Sequence, residues 1–174
     1  MTVFVRPARP EDAPALVALG TTVAREEGGW LLASDAWRGV ADERRYLRAL
    51  RRYADAAVYV ATDDAQDATV VGRLSLARDP HPASGHVADL GILVAATHRR
   101  RGVGSALLEQ AVVWALGAGI TKIELHVFPW NEPALRLYER FGFEREGVRR
   151  RHYRRGGDYV DAVLMALHVD EHTS

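Results

Sequence analysis

The 174-residue chain contains no cysteine, which excludes disulfides, thiolate metal sites and a cysteine nucleophile. It has no excess charge of either sign: 23 basic residues balance 23 acidic ones, so no global field draws it to nucleic acid or an anionic membrane, and neither is expected as a partner. No run of about 18 apolar residues occurs, and the opening Met1-Thr2-Val3-Phe4-Val5-Arg6-Pro7 lacks the apolar core of a signal peptide. These absences predict a cytoplasmic protein without a membrane span. The seven histidines form no His-x-x-x-His pair within a helical pattern, the one such spacing, His168 and His172, following the last strand-like segment, so no metal site is expected. No internal repeat, low-complexity tract or linker interrupts the chain, and its length suits one domain over residues 1–174 with a well-buried core.

What is present is a regular alternation of apolar patterns. Strand-like segments fall at residues 3–6, 57–61, 69–76, 86–94, 123–127, 143–151 and 159–167. Helical spacing begins at Ala13 and runs out near Gly28-Gly29, then recurs at residues 42–53, 103–116 and 134–140. Pro7 ends the first strand, and a polar turn at residues 63–67 makes the second and third an antiparallel hairpin. Gly91 inside a strand marks a bulge or a close backbone approach. Trp30-Leu31-Leu32 reads either as a loop folded onto the core or as a substrate-side wall. Strand, helix and strand between residues 86 and 127 make a right-handed parallel βαβ unit. The fold class predicted is therefore α/β (α+β): a mixed, mostly antiparallel sheet of about seven strands, with a central parallel βαβ unit and helices on both faces.

The stretch from His98 through Arg99-Arg100-Arg101-Gly102-Val103-Gly104-Ser105 lies where a strand becomes the longest helix. The first N–H groups of a helix have no intrahelical partner and carry the positive end of its dipole, so this junction suits an anion such as a phosphate. A P-loop needs Lys-Ser/Thr after its second glycine, but Ser105-Ala106 follows Gly104. A Rossmann fingerprint needs a third glycine where Leu107 stands, and Glu124 sits inside its strand rather than at its end.

Arg99-Arg100-Arg101-Gly102-Val103-Gly104 resembles the Arg/Gln-x-x-Gly-x-Gly/Ala loop of the GNAT superfamily of N-acetyltransferases. The stretch from Asn131-Glu132-Pro133-Ala134 to Tyr138 and Phe141-Gly142-Phe143 is similar to that family's second signature. The two occur in the family's order, and the resemblance covers residues 87–167 well. It implies acetyl-CoA as co-substrate and no metal, with amides of Arg101, Gly102, Val103, Gly104 and Ser105 at the pyrophosphate. Arg99, Arg100 and Arg101 either reach outlying phosphates or form a solvated loop. The resemblance further implies a bulge in the strand before the loop and a splay from the next strand, with Leu93 and Val94 giving main-chain bonds to pantetheine and thioester. Asn131 caps its helix or bonds the pantetheine arm. Tyr138 shares a helical face with Ala134, Leu137 and Phe141, which by itself reads as core; the resemblance implies a hydroxyl assisting the departing CoA thiolate.

The activity so implied is acetyl transfer to a primary amine of a small molecule or peptide, by direct attack in a ternary complex. A non-catalytic acyl-CoA-binding module on the same fold, or acetylation of a protein N-terminus or lysine, stands as the alternative. A homodimer is a family-level expectation. Asp89, Glu26, Glu27, Glu124 and His126 are candidate bases for the amine, none singled out by the sequence, and the two glutamates before Gly28 could attract a cationic substrate. Arg149, Arg150, Arg151, Arg154 and Arg155 beside Gly156-Gly157 read as a solvated hairpin rather than a nucleic-acid patch.

Overall fold

Side chains that alternate along each strand divide the core between two helical layers, and the sheet between them positions everything else. The computed structural model describes residues 2–31, 37–63 and 69–172; Leu32 of the apolar patch and residues 64–67 of the hairpin turn lie outside the described residues. The elements are β1 (Phe4–Pro7), α1 (Ala13–Ala24), α2 (Val40–Leu50), β2 (Ala56–Thr62), β3 (Val70–Arg78), β4 (Val87–Val94) and α3 (Val103–Ala118). They continue with β5 (Lys122–Val127), α4 (Glu132–Phe141), β6 (Glu144–Arg155), β7 (Asp158–His168) and a closing turn, α5 (Val169–His172). The seven strands are ordered β1-β2-β3-β4-β5-β7-β6. Every neighbouring pair is antiparallel except β4 with β5. Fold class, strand number and the parallel βαβ unit agree with the sequence reading. Among the described residues no helix is long and apolar enough to cross a membrane.

On one face, Leu107, Leu108, Ala111, Val112 and Ala115 of α3 pack on Ala88, Leu90, Ile123, Leu125, Val163 and Met165, with Leu135 and Tyr138 of α4 joining the cluster. On the other, Ala13, Leu16 and Leu47 of α1 and α2 cover Val58 and Val60, and Leu19 and Val23 meet Leu93. Leu31 packs at the edge of this second layer, so that part of the apolar patch is a loop folded onto the core.

Element ends shift by a few residues. Pro7 ends β1 as its last paired residue, opposite Tyr59, which an edge strand tolerates because a proline there breaks no inner ladder. Helix α1 stops at Ala24 rather than near Gly28, and Gly29 takes a φ of +60° that suits glycine. The predicted bulge in β4 is absent: its register on β3 runs unbroken from Ala88 to Val94. Gly91 is instead a close approach, since a Cβ there would lie 2.9 Å from the Ser75 Oγ. Irregularity occurs in β6, where register shifts lie between Arg145 and Gly147 and between Arg149 and Tyr153. Arg151 there has a φ of +53°, and its N–H donates to the Asp161 carboxylate at 2.7 Å.

One charged contact lies within the second layer. Glu43 of α2 is fully buried, and its carboxylate meets the Arg73 guanidinium of β3 at 3.4 Å and the Arg38 guanidinium at 3.3 Å. The Trp37 ring lies 5.1 Å from the Arg73 guanidinium carbon. Removing one member of such a pair strands the other charge away from water. Glu43→Ala is expected to lower unfolding free energy by about 3 kcal/mol in urea titrations; a loss under about 0.5 kcal/mol, typical of a surface change, would show that Arg73 finds water instead.

Candidate active site

The parallel pairing of β4 with β5 covers only Val87–Asp89 against residues 122–124. Beyond the Asp89–Glu124 pair the strands part, as the sequence reading expected. The ladder on the other side of β4 shows which amides face this opening. Ala95 N–H donates to the Val71 carbonyl at 2.9 Å, and hydrogen-bonded pairs alternate along an antiparallel ladder. With Leu93 opposite Arg73 and Gly91 opposite Ser75, the main-chain groups of Leu93 and Gly91 turn to β3. Those of Ile92 and Val94 turn to β5. The Val94 carbonyl confirms this direction, because it accepts from Arg99 Nε at 3.0 Å, away from β3. Leu93, expected to offer its main chain to a ligand, therefore spends it on β3 and buries its side chain against Leu19 and Val23. Ile92 takes its place at the opening.

The glycine loop stands at the end of β4. A short 3₁₀ turn, Ala96–His98, precedes it, Arg100 has a φ of +61° and Gly102 one of +86°. A Cβ on Gly102 would meet nothing within 4 Å, so conformation, not crowding, requires glycine there. The first bond of α3 runs from Ala106 N–H to the Gly102 carbonyl at 3.0 Å, which leaves the amides of Val103, Gly104 and Ser105 ahead of the helical ladder, an anion-binding end. Gly104 has a second reason: a Cβ would lie 2.7 Å from Leu137, so its absence lets α4 approach α3. Arg100 and Arg101 are exposed. Arg99 differs from the expectation of a phosphate ligand, because its guanidinium forms a bidentate pair with Glu26 at 2.7 and 2.8 Å. The same pair removes Glu26 from the candidates for a free base or a cation lure, while Glu27 stays exposed.

Asn131 caps α4, its side-chain oxygen accepting from Ala134 N–H at 3.3 Å, which leaves the amide NH₂ available to donate. Tyr138 is 8% exposed and packs beside Phe143 with ring centroids 5.6 Å apart. Burial pushes its phenol up to about 12. Its core reading is thus correct, and a buried phenol is also a donor that stays protonated.

The uncovered face of β5 and its neighbours carries a polar group. Ile123, Leu125 and Val127 point to the α3 layer, so Glu124 and His126 share the other face. His126 Nδ1 is 2.9 Å from the Tyr153 hydroxyl, and His152 stands edge-on to the His126 ring at 5.4 Å. Burial, then repulsion from Arg149 and His152, lowers the His126 pKa, with Glu124 opposing. Burial and the neighbouring Asp79 raise the pKa of Asp89, and Arg149 opposes them. Beside this group Phe128 stacks on Trp130 at 4.5 Å, the Trp130 indole N–H donates to the Gly28 carbonyl at 3.1 Å, and Arg155 donates to the Gly29 carbonyl. The segment after α1 is thereby tied to the far side of the opening. Sequence reading named His126 and missed Tyr153 as its partner; the alternation that put His126 with Glu124 was the available signal, and nothing local joins residues 27 apart on strands separated by β7.

A model of the acetyltransferase (GNAT) family matches residues 27–143. The L-amino acid N-acetyltransferase AaaT of Escherichia coli K12 is 41% identical over 101 residues, 58% of this chain and 62% of that protein. The E. coli K12 [ribosomal protein bS18]-alanine N-acetyltransferase is 35% identical over 78 residues, 45% of this chain and 53% of that one. The chain thus spans somewhat over half the length of these curated relatives. Among solved structures, a GNAT phosphinothricin acetyltransferase from Sinorhizobium meliloti in complex with acetyl-CoA superposes with a TM-score of 0.83 at 17% identity, covering 97% of this chain and 89% of that one. At that identity the likeness shows the fold.

The buried phenol makes a prediction that needs no ligand. The folded Tyr138 holds its proton to about pH 12, whereas an exposed phenol releases it near about 10. The folded chain then binds more protons than the unfolded one, so this contribution is complete below about pH 10 and is lost as pH rises toward 12. Burial raises Tyr59 and Tyr153 as well, so the check is a difference: near-ultraviolet absorbance titrations of the native wild type and Tyr138→Phe are expected to coincide up to about pH 11 and to part by one phenol above it, and curves already one phenol apart at about pH 10 would contradict this.

Proposed function

This chain belongs to the GNAT family of acetyltransferases, and on that premise we propose that it transfers the acetyl group of acetyl-CoA to a primary amine of a small molecule or peptide. One observation carries the reading: β4 and β5 part below the glycine loop, and the amides of Ile92 and Val94 face the gap. An extended pantetheine chain pairs there as a strand edge would, and its thioester oxygen accepts from Ile92 N–H. The pyrophosphate rests on the amides of Val103, Gly104 and Ser105, with Arg100 and Arg101 at outlying phosphates and the Asn131 NH₂ on the pantetheine arm. Arg99 acts from behind, holding the Val94 carbonyl through its own bond to Glu26.

The amine attacks the thioester carbon directly, within a ternary complex: a C–N bond forms, the C–S bond breaks, and its electron pair leaves on sulfur. With its phenol at about 12 against about 8.5 for a thiol, Tyr138 would transfer its proton uphill by roughly 5 kcal/mol. Its role is therefore a hydrogen bond to the developing thiolate. The names of the two relatives, one acting on L-amino acids and one on a ribosomal-protein alanine, support amine acceptors of both sizes.

Titration calorimetry is expected to show one acetyl-CoA bound per chain, and CoA release with a panel of amines, amino acids and short peptides to identify the acceptor. Failure to bind acetyl-CoA or CoA would sink the proposal. Tyr138→Phe should leave acetyl-CoA affinity unchanged and lower turnover by about 10- to 100-fold, the weight of a hydrogen bond to a charged group. Unchanged turnover would return Tyr138 to a packing role alone.

A further inference from the structure

A lysine-like amine with a pKa near about 10 is neutral only about a thousandth of the time at pH 7, so the attack needs a proton acceptor. Extending the β4–β5 register past Asp89–Glu124 brings Gly91 opposite His126. Gly91 has no side chain and is exposed, so the space on the His126 face of the opening is clear at the level of Ile92. His126 Nδ1 meets the Tyr153 hydroxyl at 2.9 Å, and Nε2 is buried with no hydrogen-bond partner. A buried nitrogen without a partner is costly, and one retained beside an opening is suited to a proton that arrives with a ligand.

Resting on the acetyl-transfer reading above, we propose that His126 is the base that takes the proton from the attacking amine, with Tyr153 as the positioning residue that fixes its tautomer. Tyr153 accepts from Nδ1–H, which leaves the lone pair on Nε2. The ammonium gives one proton to Nε2, and the freed electron pair forms the C–N bond as the C–S bond breaks. The second N–H proton ends on the CoA sulfur, and His126 returns its proton to water. The groups that face the imidazole suit the role. Arg149, His152 and burial keep it neutral at neutral pH against Glu124 on its own strand, and Tyr153 of β6 and Asp89 of β4 complete the surroundings. Asp89 shares the face, but a carboxylate is a weaker base near neutrality than an imidazole.

The test is the pH dependence of kcat/KM for the best amine, with acetyl-CoA binding measured by calorimetry on each protein. In the wild type an inflection below the ordinary histidine value of about 6.5 is expected, activity falling on its acid side. His126→Gln should lose that inflection and about 100-fold in kcat, with acetyl-CoA affinity unchanged. Tyr153→Phe should move the inflection and leave the KM for acetyl-CoA alone, and it decides the matter if His126→Gln fails to bind acetyl-CoA. A His126→Gln enzyme with wild-type kcat and inflection overturns the assignment, as does an inflection abolished by Asp89→Asn but kept in His126→Gln. So does a Tyr153→Phe profile identical to wild type where it is the deciding variant. A wild-type protein that releases no CoA with any amine overturns the acetyl-transfer reading itself; turnover in the wild type that is indifferent to His126 overturns only the base.

Discussion

The parting of β4 from β5 after a three-residue parallel ladder is the constraint on which the rest of this structure depends. A strand inside a sheet ordinarily satisfies its amides on both sides, because a buried main-chain polar group without a partner is costly. Here one side of β4 is paired to its end, and the other opens at Ile92 and Val94. A strand edge exposed within a sheet suits an extended chain with amides of its own, and the start of α3 beside it has N–H groups ahead of the helical ladder, an end that suits an anion.

Keeping such an opening in shape requires β4 to be fixed from every other direction. Its even positions, Ala88 and Leu90, enter the α3 layer, and Leu93 enters the α1 layer. Arg99 holds the strand's last carbonyl and is itself held by two bonds to Glu26. Behind β4, the Arg73 main chain pairs with Leu93 while its guanidinium lies against Glu43. Strand β4 is therefore braced by charged groups from α2 and from the segment following α1, the part of the chain whose role is least apparent in sequence.

The two sides of the opening differ in chemistry. Toward α4 it is apolar, and Tyr138 there stays protonated because burial disfavours its anion. Toward the uncovered face, Arg149 acts on Asp89, His126 and Tyr153 together. Burial and positive neighbours disfavour a charged imidazole there, leaving it neutral at neutral pH. A donor on one side and an acceptor on the other suit a reaction that delivers charge to sulfur and removes it from nitrogen.

By itself the sequence determined the seven strands, the four longer helices and the βαβ unit, and it offered the glycine turn at the start of α3, the Asn131 cap and a core place for Tyr138 as readings with which the structure agrees. Each follows from periodicity or from a glycine or cap within a few residues, and such preferences act locally. Tertiary structure alone decided that Ile92 rather than Leu93 faces the gap, because that depends on which neighbour β3 pairs with. It decided that Arg99 serves Glu26, 73 residues away, rather than a phosphate. It also brought Tyr153 to His126, through a register break in β6 that no local pattern announces. Alternation shows that two residues share a face, but a strand's hydrogen-bonding parity and a side chain's partner are set by which distant segment lies beside it.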